Sequence, residues 1–126
     1  MAASMRNAYT AVIARGDLWE GRVQTEPYEA AWAGEAVFFV HVLEATGADA
    51  AGTTGGEGGG GTALARVQMS PDGLHWVDEG AELQIPVKTD ALSFARVTNF
   101  GGWLRLEVSV PPRLGIKVVA TLALKA

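Results

Sequence analysis

An all-β fold, an antiparallel two-sheet sandwich of jelly-roll-like form with 8–9 strands, is what this sequence predicts, and three observations predict it. The first is the stretch Ala65-Arg66-Val67-Gln68-Met69-Ser70-Pro71-Asp72-Gly73-Leu74-His75-Trp76-Val77-Asp78. It reads as two strands joined by a four-residue turn. Proline presets φ at the first corner, aspartate bonds its own backbone, and glycine takes the positive φ that closes the turn. Val67 and Met69 before the turn and Trp76 after it alternate with polar residues, the period of a half-buried strand. The second observation is the clean alternation of Trp103–Val110, which sends Leu104, Leu106, Val108 and Val110 inward and Trp103, Arg105, Glu107 and Ser109 outward. The third is that no segment carries a sustained helical stripe with caps.

Taken in order, Tyr9–Ala14 is the first strand; alanines precede it, but Tyr9, Thr10, Val12 and Ile13 favour the extended form. Trp19–Gln24 is the second, with Trp19, Gly21 and Val23 on one face. Ala36–Ala45 is apolar on both faces, Phe38, Val40 and Val42 on one and Val37, Phe39 and Leu43 on the other, which places it mid-sheet with its outer face also buried. Leu64–Ser70 and His75–Asp78 form the hairpin, Asp78-Glu79-Gly80 reads as a turn, and Glu82–Val87 and Ser93–Phe100 follow. After Trp103–Val110, Pro111-Pro112-Arg113-Leu114-Gly115 makes a proline-initiated turn. Ile116–Leu124 then puts Ile116, Val118, Ala120, Leu122 and Leu124 on one face, with Val119 and Ala123 outward. Eight or nine short strands joined by turns indicate a sandwich.

Composition bounds the function. The 126 residues suit a single β-sandwich domain over 1–126, and 48% apolar residues suffice for a core. A net charge of −4 argues against nucleic acid, which calls for a basic patch. With no cysteine, neither a disulfide framework nor a thiolate metal site is available. Met1–Thr10 lacks the apolar run of a signal peptide, and Ala36–Val40 is too short to cross a membrane. The expectation is synthesis in the cytoplasm and residence there or on a particle such as a virion.

The low-complexity segment 47–62, with Thr53-Thr54 and a glycine run, lacks the following helix and lysine of a phosphate loop. It reads as a flexible loop, or as one that orders against a neighbouring subunit, where glycine permits close backbone approach. The chemistry-bearing residues are few. His41 shares the outer face of Val37, Phe39 and Leu43 and reads as an interior or interface histidine. His75, near Asp72 and Asp78, reads as a solvated hairpin end; a His/Asp pair can hold a metal, but two to three ligands from one hairpin are weak evidence for a metal centre. The serines have no nucleophile-elbow context. No catalytic residue, cofactor or metal is expected. Trp19, Trp32 and Trp76 read as packing residues, whereas Trp103, outward after Gly101-Gly102, suggests a contact surface.

The segments Ala65–Trp76, Phe94-Ala95-Arg96-Val97 and Trp103-Leu104-Arg105-Leu106-Glu107 resemble discoidin-type, galactose-binding-like domains, a pattern also seen in small virion and tail proteins of phages. The resemblance covers about half of the chain and implies a β-sandwich rather than an activity. That family carries bridging cysteines and is secreted; this chain has no cysteine.

The expected function is therefore a structural one: a subunit that self-associates or coats a larger particle (virion capsid decoration, tail or protein shell). Its interface residues are Val37, Phe39, His41, Leu43 and Trp103, and its turn residues are Ser70, Pro71, Asp72, Gly73 and Trp76. Partners would be further copies of the chain or scaffold subunits, with no nucleic acid and no membrane. The alternative is a carbohydrate-binding module that stacks a glycan on an exposed tryptophan.

Overall fold

The computed structural model describes residues 8–47, 61–98 and 100–126. Nine strands make up the fold: β1 (Ala8–Trp19), β2 (Arg22–Gln24), β3 (Tyr28–Glu29), β4 (Glu35–Gly47), β5 (Thr62–Ser70), β6 (Val77–Pro86), β7 (Leu92–Thr98), β8 (Trp103–Ser109) and β9 (Leu114–Lys125). They form two antiparallel sheets. One has four strands in the order β1-β9-β4-β7, and the other has five, ordered β2-β8-β5-β6 with β3 also paired to β8. Because β2 and β3 lie on the same side of β8, they act as one interrupted strand. Successive strands then alternate between the sheets except for β5 and β6, which share one. This is the strand order of a jelly roll.

The alternation read from the sequence is what fills the space between the sheets. Phe38, Val40 and Val42 of β4 and Ile116, Val118, Ala120, Leu122 and Leu124 of β9 point inward and are fully buried. From the other sheet Leu104, Leu106 and Val108 meet Ala63, Ala65, Val67, Leu83 and Ile85, and all belong to one apolar cluster. Thr25 extends the edge beyond β2: its amide donates to the Leu106 carbonyl, and its hydroxyl accepts from the Leu106 amide. The turn at Pro111 is present, with the Leu114 amide donating to the Pro111 carbonyl at 3.2 Å.

Three local expectations are corrected. Trp19–Gln24 is not one strand: β1 ends at Trp19, the chain crosses between sheets at Gly21, and β2 begins at Arg22. Trp19 and Val23 therefore pair with different sheets, Trp19 with Ile116 and Val23 with Val108. Asp78-Glu79-Gly80 is not a turn, and the strands expected on either side of it are the single β6. The register moves from Gln68↔Asp78 to Arg66↔Glu82, so the extra residues form a bulge, and Gly80 supplies its positive φ. His75 and Trp76 lie in the connection before β6 rather than in the strand, which makes the hairpin loop longer than four residues. The expectation for 47–62 falls mostly outside the described residues; Gly47 closes β4 and Thr62 opens β5.

Truncating the core tests this arrangement. Leu106→Ala and Leu122→Ala, at fully buried positions in opposite sheets, should each cost about 2–5 kcal/mol in urea unfolding. Losses near those of surface substitutions would reverse the assignment of strand faces.

Candidate functional site

The outer face of the four-stranded sheet is where this structure departs most from an ordinary soluble surface. Since Phe38, Val40 and Val42 go inward, Val37, Phe39 and His41 must go outward. Register then adds residues from strands far apart in sequence. Phe39 pairs with Phe94 of β7 on one side and Thr121 of β9 on the other, and Thr121 pairs with Val12 of β1. The next row places Leu92, His41, Val119 and Arg15 side by side. Leu43 sits at the bulge of β4, and Leu18 lies across from Lys117. Phe94 is 54% exposed and Phe39 37%; with Val12, Leu18, Leu43 and Leu92 they make this face the main concentration of exposed large apolar side chains among the described residues.

The Phe39 and Phe94 rings stand 6.2 Å apart in a tilted pair, and the Arg96 guanidinium lies 5.4 Å over Phe94. His41 meets Asp90 at 2.7 Å between Nε2 and Oδ1. Asp90 is held there by its own backbone: its amide donates to Val42, and its φ of 72° is unusual for a residue with a side chain. Val37, Phe39, His41 and Leu43 thus share one surface, open in the single chain instead of covered. Sequence reasoning missed Val12, Leu18, Leu92 and Phe94. Each looks like an ordinary strand residue until the register sets it beside Phe39.

Trp103 is elsewhere. It lies on the outer side of the five-stranded sheet, half-buried beneath the hairpin loop, where a Cβ on Gly73 would stand 3.3 Å from the indole. Gly102 beside it has no room for a Cβ because the Ser70 carbonyl is in the way. Trp76 carries the Arg105 guanidinium 4.2 Å over its ring. Arg105 Nε donates to Gln68, whose amide donates to Asp78. Together with the ion pairs Arg22–Glu107 at 3.0 Å and Arg66–Glu82 at 3.7 Å, these contacts give each of Arg22, Arg66 and Arg105 a partner on this outer face.

The loop under which Trp103 lies is tied by side chains. Buried Ser70 accepts from the amides of Asp72 and Gly73 at 3.2 and 2.7 Å and donates to the Asp72 carboxylate at 3.0 Å. Asp72 in turn accepts from the amides of Leu74 and His75 at 2.8 and 2.9 Å and from His75 Nδ1 at 2.7 Å. The His75 amide, then its imidazole and the Leu74 amide, hold the Asp72 carboxyl well below the usual carboxylate range. The His75 side chain itself is 83% exposed. Among the described residues no group of three or more His, Asp and Glu side chains could hold a metal.

Two open clefts line the side of the sandwich between the edge strands β1 and β2/β3. One, of about 510 Å³, is lined by Ala8, Tyr9, Tyr28 and Trp32. The Tyr9 and Tyr28 rings stack there 6.4 Å apart. Burial, with Tyr9 adding to it, pushes the Tyr28 phenol above its ordinary value. The second, of about 430 Å³, runs between Ile13–Trp19 and Val23–Glu26.

The chain is similar in structure to the SPBc2 prophage-derived protein YomS, known from a crystal structure. The match covers 98% of this chain and 96% of that one, with a TM-score of 0.55 and 6% identity. No family model and no curated protein matches the sequence. The likeness establishes a shared all-β fold with a small phage protein; it does not reach the discoidin-type domains specifically.

The loop gives two tests. Gly73→Val forces a branched side chain into φ +81° and onto the Trp103 indole, so the melting temperature should fall and the tryptophan emission should change. Asp72→Ala removes a carboxylate whose folded-state pKa is lowered. Such a group stabilises the fold above its unfolded pKa of about 3.9 and loses that contribution as pH falls through the folded value. The gap in melting temperature between wild type and Asp72→Ala should be full at neutral pH and narrow steadily below about pH 4.

Proposed function

We propose that this chain is a non-enzymatic structural subunit, a jelly-roll protein that associates with further protein, copies of itself or the scaffold of a virion, tail or shell, through the outer face of its four-stranded sheet. The single observation that carries this reading is the contiguous exposure of Phe39, Phe94, Val12, Leu18, Leu43 and Leu92 on that face. Exposed apolar patches of this kind mark contact surfaces, and this one lies on a flat, regular sheet able to meet another broad surface. The prophage origin of YomS, which shares the fold over nearly its whole length, supports a phage particle as the setting.

A glycan-binding role, the alternative that an exposed tryptophan raises, ranks second. Trp32 favours it: 42% exposed beside Tyr9 and Tyr28, it offers a ring face to a sugar. Trp103 and Trp76 are poorer platforms, since Gly73 approaches one and Arg105 covers the other.

Sedimentation velocity at tens of micromolar separates the two. Wild-type protein should sediment as an oligomer or larger particle. Phe39→Asp should sediment as a monomer with an unchanged circular-dichroism melt, because position 39 faces away from the core while a carboxylate trapped in a contact costs several kcal/mol. A wild type that stays strictly monomeric and binds immobilised glycans would reverse the ranking.

A further inference from the structure

We infer that the protein covering this face is a second copy of the chain, packed face to face about a two-fold axis that runs parallel to the strands between β4 and β9. The inference rests on the assembly reading above and adds the identity and orientation of the partner.

The register makes the outer face a grid with a lysine beside a glutamate at each of its two ends. At one end Lys125 of β9 stands beside Glu35 of β4; at the other, Lys117 of β9 stands beside Glu44 of β4. The rows between them hold the apolar residues, with Arg96 on the β7 edge and Arg15 on the β1 edge. Among the described residues the ion pairs are Arg22–Glu107, Arg66–Glu82 and the two His–Asp pairs, so these end charges close no ion pair with another described residue. They are available to a partner.

A two-fold axis along the strands exchanges β9 with β4 and β1 with β7, and leaves position along the strands unchanged. It lays Lys117 over Glu44 of the second copy and Lys125 over Glu35, and symmetry repeats both, giving four intersubunit ion pairs. In the middle it lays Val12 over Phe94. Arg15 and Arg96, at different heights, do not meet. An axis across the strands would do the opposite, setting Lys117 over Lys125 and Glu35 over Glu44. Like charges set directly opposite one another cost affinity and suppress that register. Lysine and glutamate side chains are long enough to absorb the lateral offset that sheet twist introduces.

The size of the face fits a second copy. Four strands spaced about 4.8 Å apart, over about nine residues at about 3.3 Å each, give a plane of about 600 Å² before side-chain relief is counted. Stable interfaces bury about 600–1,000 Å² per partner. An isologous contact uses the same patch twice and closes at two copies, which leaves the polar outer face of the five-stranded sheet to solvent or to the particle.

Mixing two single variants tests the axis. Lys117→Glu and Glu44→Lys should each weaken the wild-type dimer about tenfold or more in sedimentation equilibrium, because each sets like charges opposite one another at both symmetry-related positions. An equimolar mixture should recover dimer, because the heterodimer restores Lys–Glu opposition at both. Carrying both substitutions on one chain should recover it as well, and circular-dichroism melts confirm that each chain is folded. A wild-type dimer whose singles are not rescued by mixing, or are tighter than wild type as the crosswise axis requires, overturns the proposed geometry and leaves the assembly reading standing. A monomeric wild type overturns both.

Discussion

The ladder between β4 and β9 is the constraint on which the rest of this structure depends. It runs from Glu35↔Lys125 to Gly47↔Leu114 down the middle of the four-stranded sheet. Its inward side chains are fully buried against the opposite sheet. Side chains alternate strictly along a strand, so the register that buries Phe38, Val40 and Leu122 also turns out Phe39, His41 and Thr121. A slip of one residue would exchange the two sets. The core and the exposed apolar face are thus not separate features: one register produces both, and the fold cannot bury Phe39 in this sheet without expelling Phe38.

Strand positions were legible because amphipathic alternation is local, and Trp103–Val110 and Ile116–Leu124 carry it without interruption. Pairings were less so. In a jelly roll nearly every connection crosses between the sheets, and only β5 and β6 are joined within one. The hairpin around Pro71-Asp72-Gly73 was therefore the one pairing with a local signal. Errors arose where glycine at positive φ serves more than one purpose. At Gly80 it relieves a bulge inside β6, and at Gly21 it turns a corner between sheets. A turn has the same local chemistry, so the residues alone do not distinguish the three.

The candidate face was half legible for the same reason. Val37, Phe39, His41 and Leu43 lie on one strand, and their shared side follows from counting by two. Phe94, Leu92, Val12 and Leu18 come to that face only through the order β1-β9-β4-β7, which no pattern within a strand specifies. Trp103 shows the converse. Its outward direction was correct, but the loop tied down by Ser70 and Asp72 brings Gly73 close over its ring. Direction from a sheet does not determine exposure when a neighbouring loop folds back.

The two outer faces of the sandwich differ in a way that bears on its work. On the five-stranded sheet Arg22, Arg66 and Arg105 each have a partner in Glu107, Glu82 or Gln68 and Trp76. Such exposed pairs add little stability, but they leave few unsatisfied charges and a surface suited to water. On the four-stranded sheet the aromatic rings are open, and Lys117 beside Glu44 and Lys125 beside Glu35 close no ion pair among the described residues. A monomer gains little from that arrangement, since it exposes apolar area that water disfavours, while opposite charges on neighbouring strands add only about 0.2–1 kcal/mol. The same arrangement is complementary to itself once a second copy is laid along the strands. The asymmetry between the faces is what the proposed contact rests on: the paired, polar side is suited to solvent, and the apolar side is the one such a contact would cover.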